Sequence, residues 1–343
     1  MHRLLPLILA STAALAVGPR ALEPPSPRDL LRRIATLTDR EWASIERGEA
    51  MAKVLPTDSR EIAIVGTVRI AADRNRLIER YRDVENLKRS AIVLETARFG
   101  PVPQASDFTR ARFEDHSLDL RACRPGDCPV RLTEADIERF HREVNWRAAD
   151  WRDRSASVWR DVLAAHAAAY RIRGREGLPV YANKREPLSV ASELSVLTKQ
   201  YRFVADYSPE LVAYVQEFGP VAPPGSEQTM YWTKEDFGIR PVLRISHQVI
   251  HTVPQRDAVI VITNQVYADH YLDAAVTLTL TVNAGDSDRG HFYMISVNRA
   301  RTRSLSGVMR SIVRSVVQGR SRDAMRKILT ATKTGLERDN SGR

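Results

Sequence analysis

The sequence predicts an α+β domain: a curved antiparallel sheet closed by one long C-terminal helix and interrupted by a large α-helical insertion. Three observations carry this. Between residues 257 and 299 three runs alternate with a period of two. In the middle run Leu272, Ala274, Val276, Leu278, Leu280 and Val282 take one parity and Thr277, Thr279 and Thr281 the other, which is the pattern of strands and not of a helix. The period then changes, and Leu305, Met309, Ile312, Val313, Val316 and Val317, followed by Met325, Ile328, Leu329 and Leu336, recur at helical spacing. Finally, residues 100–225 lose the alternation, opening on Pro101 and Pro103 and closing on Pro223, Pro224 and Gly225.

At 343 residues the chain has room for one large domain or two ordinary ones. Its 43% hydrophobic and 27% charged residues are a globular balance. The formal charge of +10 invites a nucleic-acid reading, but the N-terminus argues for export instead. Met1-His2-Arg3 is a positive start, Leu4 to Ala13 an apolar core of about ten residues, and Ala14-Leu15-Ala16 a small-x-small cleavage pattern. Residues 1–16 are thus a predicted signal peptide, with Ala21 the other cleavage point, and no nucleic-acid partner is expected. Cys123 and Cys128 bracket Arg124-Pro125-Gly126-Asp127, a turn sequence that lets the sulfurs meet. In an oxidising compartment they should form a disulfide worth ~2 kcal/mol.

The remaining elements follow in order. Residues 17–60 are a Pro-rich linker and short amphipathic helices, with Thr38-Asp39-Arg40-Glu41 a capping box. The main domain, 61–338, opens on a strand with Ile62, Ile64, Val68 and Ile70 on one face and Gly66 among them. Asp73 caps a helix running to about Arg89, and a second strand ends at Phe99. Inside the insertion, 100–225, one helix is predicted from Thr133 past Tyr170, and shorter ones at 189–204 and 209–218, where Ser208-Pro209 is an N-cap and N1 pair. Strands at 228–234 and 241–253 restore the sheet.

This order of strand, helix, strand, insertion, strands and long helix resembles the helix-grip superfamily, the START or SRPBCC-type domains, over about half of the chain. Leu120 to Cys128, Tyr231-Trp232-Thr233-Lys234-Glu235 and Tyr267-Ala268-Asp269-His270-Tyr271 also look like an exported bacterial family of unassigned function. The resemblance implies a sheet gripping the C-terminal helix, with an apolar ligand, often a lipid or sterol, held between the two.

Candidate ligand contacts are His247, His251, Asn264 and Tyr293. His247 and His251 share the parity of Leu243, Ile245 and Val249. Their i, i+4 spacing lies on a strand, which puts the imidazoles about 13 Å apart, too far for one zinc. They therefore read as polar anchors of a cavity or as satisfied core histidines. Asn264 shares the parity of Ala258, Ile260, Ile262 and Val266, so its amide faces inward and needs partners. Asp269 and His270 are neighbours on a corner between strands, where adjacent side chains diverge. With no nucleophile elbow, phosphate loop or Cys/His cluster, the sequence predicts no catalytic residue, metal or cofactor.

The function expected from these readings is an exported binding or carrier protein for a hydrophobic, lipid-like molecule in the cell envelope. An enzyme of the same fold and a protein-interaction module are the alternatives. Basic residues on the polar side of helix 304–338, among them Arg314, Arg320, Arg326 and Lys327, raise contact with anionic membrane surfaces. The two apolar stripes of that helix are half a turn out of phase at ~100° per residue, which predicts a break near Gly319 to Ser321.

Overall fold

The structure, a computed structural model, describes residues 25–90, 92–113, 118–217, 219, 221–236, 240–285, 290–303 and 310–341. The signal segment, the middle of the 283–290 turn, and Leu305 and Met309 of the first stripe lie outside the described residues.

The chain is α+β, built on a large antiparallel sheet of eight strands. Helices α1 (Pro27–Ile34) and α2 (Asp39–Glu46) come first, and Thr38 and Glu41 form the capping box that the sequence predicts. Strand β1 (Met51–Leu55) gives no alternating signal, because Lys53 interrupts a run of only five residues. It gains its place by pairing with β2 (Glu61–Ala71) at the sheet edge. The helix expected over 73–89 is two, α3 (Arg74–Arg82) and α4 (Val84–Lys88). Asp83 ends the first and caps the second through the Asn86 N–H, the capping preference of Asp outweighing helix continuation.

After β3 (Val93–Arg98) the chain leaves the sheet. The single long helix predicted from Thr133 is also divided, into α5 (Glu134–Glu143) and α6 (Trp151–Arg173), with Val144 in extended backbone between them. A two-stranded ribbon, β4 (Val180–Tyr181) with β5 (Leu188–Ser189), precedes α7 (Val190–Thr198) and α8 (Pro209–Glu217). The sheet resumes with β6 (Ser226–Asp236), β7 (Pro241–Val253), β8 (Ala258–Ala268), β9 (Ala274–Asn283) and β10 (His291–Arg301), and α9 (Arg310–Ser341) ends the described chain. Across the sheet the strands lie in the order β1-β2-β10-β9-β8-β7-β6-β3.

Each face of the sheet buries a different set of helices. The inner face (Ile245, Val249, Ile260, Ile262, Leu278 and Val297) packs on the insertion through Val158, Val162, Leu194, Leu197, Leu211 and Val215. The outer face (Ile62, Ile64, Val68, Ile70, Phe292 and Met294) packs on Met325, Leu329 and Leu336 of α9. Helix α9 runs along β2: Arg314 reaches Thr57 and Asp58 at one end, Lys333 donates to the Arg69 carbonyl, and Glu337 accepts the Ala71 N–H at the other. Gly66 makes this contact possible, since a Cβ there would lie 2.5 Å from Met325 Cγ and 2.7 Å from Leu329 Cδ1.

The predicted break at Gly319 does not occur. Helix α9 is continuous through it, and a Cβ at Gly319 would meet nothing within 4 Å. The phase offset is real but resolved otherwise: Met325, Leu329 and Leu336 take the sheet, while Val313 and Val316 remain 45% and 49% exposed. One interior glycine costs about 1 kcal/mol, too little to interrupt a helix docked by its second half.

Cys123 and Cys128 are disulfide-bonded, as the turn sequence predicts. The loop between them docks on the ribbon, Gly126 donating to the Ala182 carbonyl at 2.7 Å and Cys128 to that of Asn183 at 3.1 Å. The bond points to a non-cytoplasmic location. Among the described residues no helix is long and apolar enough to cross a membrane.

Candidate functional site

Strand β7 alternates strictly, so Ile245, His247, Val249 and His251 all face the insertion. His247 is buried under the C-terminal end of α6. Its Nδ1 lies 2.9 Å from the Tyr170 hydroxyl and its Nε2 2.9 Å from Gln228 Oε1 on β6, which also accepts from Tyr214 of α8 at 3.2 Å. A carbonyl oxygen only accepts, so with Gln228 in this orientation Nε2 carries the proton and Tyr170 donates to Nδ1. Burial, with a smaller push from the Arg171 cation, depresses the imidazole from 6.5 to about 4. His247 is therefore neutral at physiological pH, and burial drives the Tyr170 hydroxyl far above its ordinary range.

Beside this pair is a cavity of ≈ 140 Å³ walled by Tyr170, Arg171, Gln228, Thr229, Met230 and His247. It lies on the inner face, under the insertion. Between the sheet and the C-terminal helix, Met325 and Leu329 sit directly on Gly66. Arg171 is exposed at the rim and, among the described residues, is the one charged residue of that wall.

Asn264 pairs with His247 across β7 and β8 and is 0% exposed. Its amide lies beside the Tyr170 hydroxyl in a loosely aligned hydrogen bond that offsets a little of the effect of burial on that hydroxyl. Asn264 thus lies directly behind the cavity pair and touches its tyrosine.

The other predicted contacts separate from this site. His251 holds the base of α8: Nδ1 meets Ser226 Oγ at 2.9 Å and Nε2 meets Ser208 Oγ at 3.1 Å, with Glu210 at 3.8 Å. Ser208 is wholly buried and accepts the Leu211 N–H as the helix N-cap, so the arrangement is a structural latch rather than an activated nucleophile. Tyr293 lies on β10, three strands from β7 and so about 14 Å away. It stacks on Trp42 at 5.5 Å and donates to Glu46. At the corner Asp269 and His270 do not diverge as expected: Asp269 Oδ1 lies 3.0 Å from His270 Nδ1, while Asp269 also accepts the Leu243 N–H at 3.0 Å and Arg240 engages His270 Nε2, a turn anchored to β7. Among the described residues no group of three or more His, Cys, Asp or Glu is placed to hold a metal.

The sequence singles out His247 and Asn264 but neither Tyr170, Gln228 nor Arg171. Tyr170 closes an apolar helical stripe and reads as core, and Gln228 is one polar residue at the start of a strand. Their meeting depends on the insertion folding back over β6 and β7. Comparison with family models, with curated proteins and with solved structures finds no match to this chain.

Proposed function

We propose that the chain is an exported, non-catalytic binding protein of the cell envelope. Its ligand is a small amphipathic molecule, with a compact apolar body and one anionic acceptor group. The observation that carries this reading is the composition of the cavity wall. A neutral, hydrogen-bonded His247–Tyr170 pair and Met230 offer an uncharged interior, while Arg171 at the rim supplies positive charge. The helix-grip resemblance supports a binding role and a lipid-like ligand. The volume of ≈ 140 Å³ supports a smaller one, because pockets for drug-sized ligands hold about 300–1,000 Å³ and a cavity of about 150 Å³ suits benzene.

Catalysis by the same fold is less well supported. Among the described residues the cavity wall holds no carboxylate, and both members of the Tyr–His pair stay neutral near pH 7, which favours hydrogen bonding over proton transfer. For an interaction role of the insertion, the described residues leave Val102, Ile172, Val180, Val196 and Val221 exposed, of which only Ile172 lies on α5 and α6.

Isothermal titration calorimetry with benzoate as probe tests the reading. Saturable binding that weakens about fivefold or more in Arg171→Ala is the expected result, the loss of roughly 1 kcal/mol from one charge-assisted contact. Tight binding of octadecanoate with benzoate inert, and indifference to Arg171→Ala, would return the ligand to the lipid class.

A further inference from the structure

Helix α9 presents two opposed faces, and only one of them is used within the fold. At about 100° per residue, Met325, Leu329 and Leu336 centre on one pole, and they are buried on β2. The opposite pole carries Val313, Val316, Arg320, Lys327 and Arg338 within an arc of about 60°, all of them exposed. Arg326 and the 59% exposed Ile328 flank this stripe. The exposed acid on this side of the helix, Asp323, is held by its neighbour Arg322 at 3.1 Å. From Val313 to Arg338 the stripe extends about 38 Å at the rise of an α-helix. Its apolar residues are short, its cations long, and no helix of the described chain covers it.

We propose that this outer face of α9 docks the protein on an anionic lipid surface, with Arg320, Lys327 and Arg338 on the headgroups and Val313, Val316 and Ile328 at the boundary of the acyl region. Charge complementarity selects the occupant. A row of cations interleaved with partly exposed apolar side chains on a helix lying in one plane is the arrangement that interfacial helices use. Each cation near such a surface strengthens partitioning about fivefold, so the attachment is reversible and salt-sensitive. The inference is independent of the cavity and of what fills it.

The test is co-sedimentation of the full protein with vesicles of phosphatidylglycerol and phosphatidylcholine, against vesicles of phosphatidylcholine alone. The comparison set is the wild type, a variant combining Arg320→Glu, Lys327→Glu and Arg338→Glu, and a control combining Arg40→Glu, Arg185→Glu and Arg202→Glu at exposed positions elsewhere. The two variants change net charge equally, and circular dichroism verifies that both are folded. The expected result is binding to the anionic vesicles by wild type and control, lost by at least tenfold in the α9 variant and weakened by salt. Equal loss in both variants would reduce the effect to overall charge and overturn the proposal. So would absence of binding by the wild type, or a dimer of the wild type that the α9 variant alone abolishes, which would give the face to a second copy.

Discussion

Arg131, just ahead of α5, donates to the carboxylate of Asp273 at the entry to β9, and the two side chains are only 9% and 0% exposed. The pair begins a file of alternating charges. Asp273 takes Arg60 at 3.3 Å, Arg60 reaches Glu193 at 2.7 Å, Glu193 holds Arg301 at 2.6 Å, and Arg301 meets Asp58 at 2.8 Å. Insertion, sheet and the loop between β1 and β2 are thereby joined. Desolvation dominates at Asp273 and pushes its carboxyl above the usual range in spite of the cations.

Breaking this file from one side strands a buried charge. Asp273→Asn is expected to cost about 3–5 kcal/mol, read from urea unfolding midpoints, while Arg131→Met combined with Asp273→Leu recovers part of the loss. A single-variant cost below 1 kcal/mol would show that the pair does not join the layers.

His247 makes stability fall with acid. The folded imidazole titrates near 4 against 6.5 ordinarily. Between those values the unfolded chain binds a proton that the folded chain refuses. The contribution is therefore complete above about pH 6.5, declines as pH falls, and levels off near pH 4, a total of about 3 kcal/mol. His251 is shifted in the same direction by burial. In urea titrations from pH 7.5 to 4, His247→Gln should lie below wild type at neutral pH and lose less on acidification. Parallel curves for the two proteins would remove His247 as the source.

Two glycines should respond in opposite ways. Gly66→Ala drives a methyl into Met325 and Leu329 and is expected to cost about 1–3 kcal/mol, whereas Gly319→Ala in open space should gain about 1 kcal/mol. Thermal midpoints in opposite directions are the expected readout. A destabilised Gly319→Ala would mean that the helix does break there.

Opening the disulfide should have a modest, local effect. Replacing Cys123 and Cys128 by Ser is expected to cost about 2 kcal/mol for so short a loop. Hydrogen exchange should quicken at Gly126 and Cys128, whose amides are held by the ribbon. Unchanged protection there would show that the hydrogen bonds to Ala182 and Asn183 hold the loop unaided.

The sheet is legible where hydroxyl or polar residues alternate with large apolar ones, even though both of its faces are covered and Thr279 and Thr281 are buried. The Thr277, Thr279 and Thr281 parity and the His247 and His251 parity both follow from this. β1 was not legible, because a five-residue edge strand with a central lysine carries almost no period. Helix breaks failed in both directions. Asp83 and Val144 divide helices that the apolar pattern runs together, while Gly319 interrupts nothing, because docking of Met325 and Leu329 decides continuity and local propensity does not. At the site, the parity of Asn264 was readable and its meeting with the Tyr170 hydroxyl was not. The amide's surroundings come from Tyr170, nearly a hundred residues earlier in the chain, and no local pattern records that meeting.

The central claim, a neutral His247 in the wall of a ligand cavity, is tested most directly by NMR of the imidazole nitrogens and carbons. The His247 ring is expected to titrate with a midpoint near 4, and benzoate added at pH 7 to shift its signals in wild type at a concentration about fivefold lower than in Arg171→Ala. A midpoint near the ordinary 6.5, with ring signals indifferent to benzoate, would contradict it.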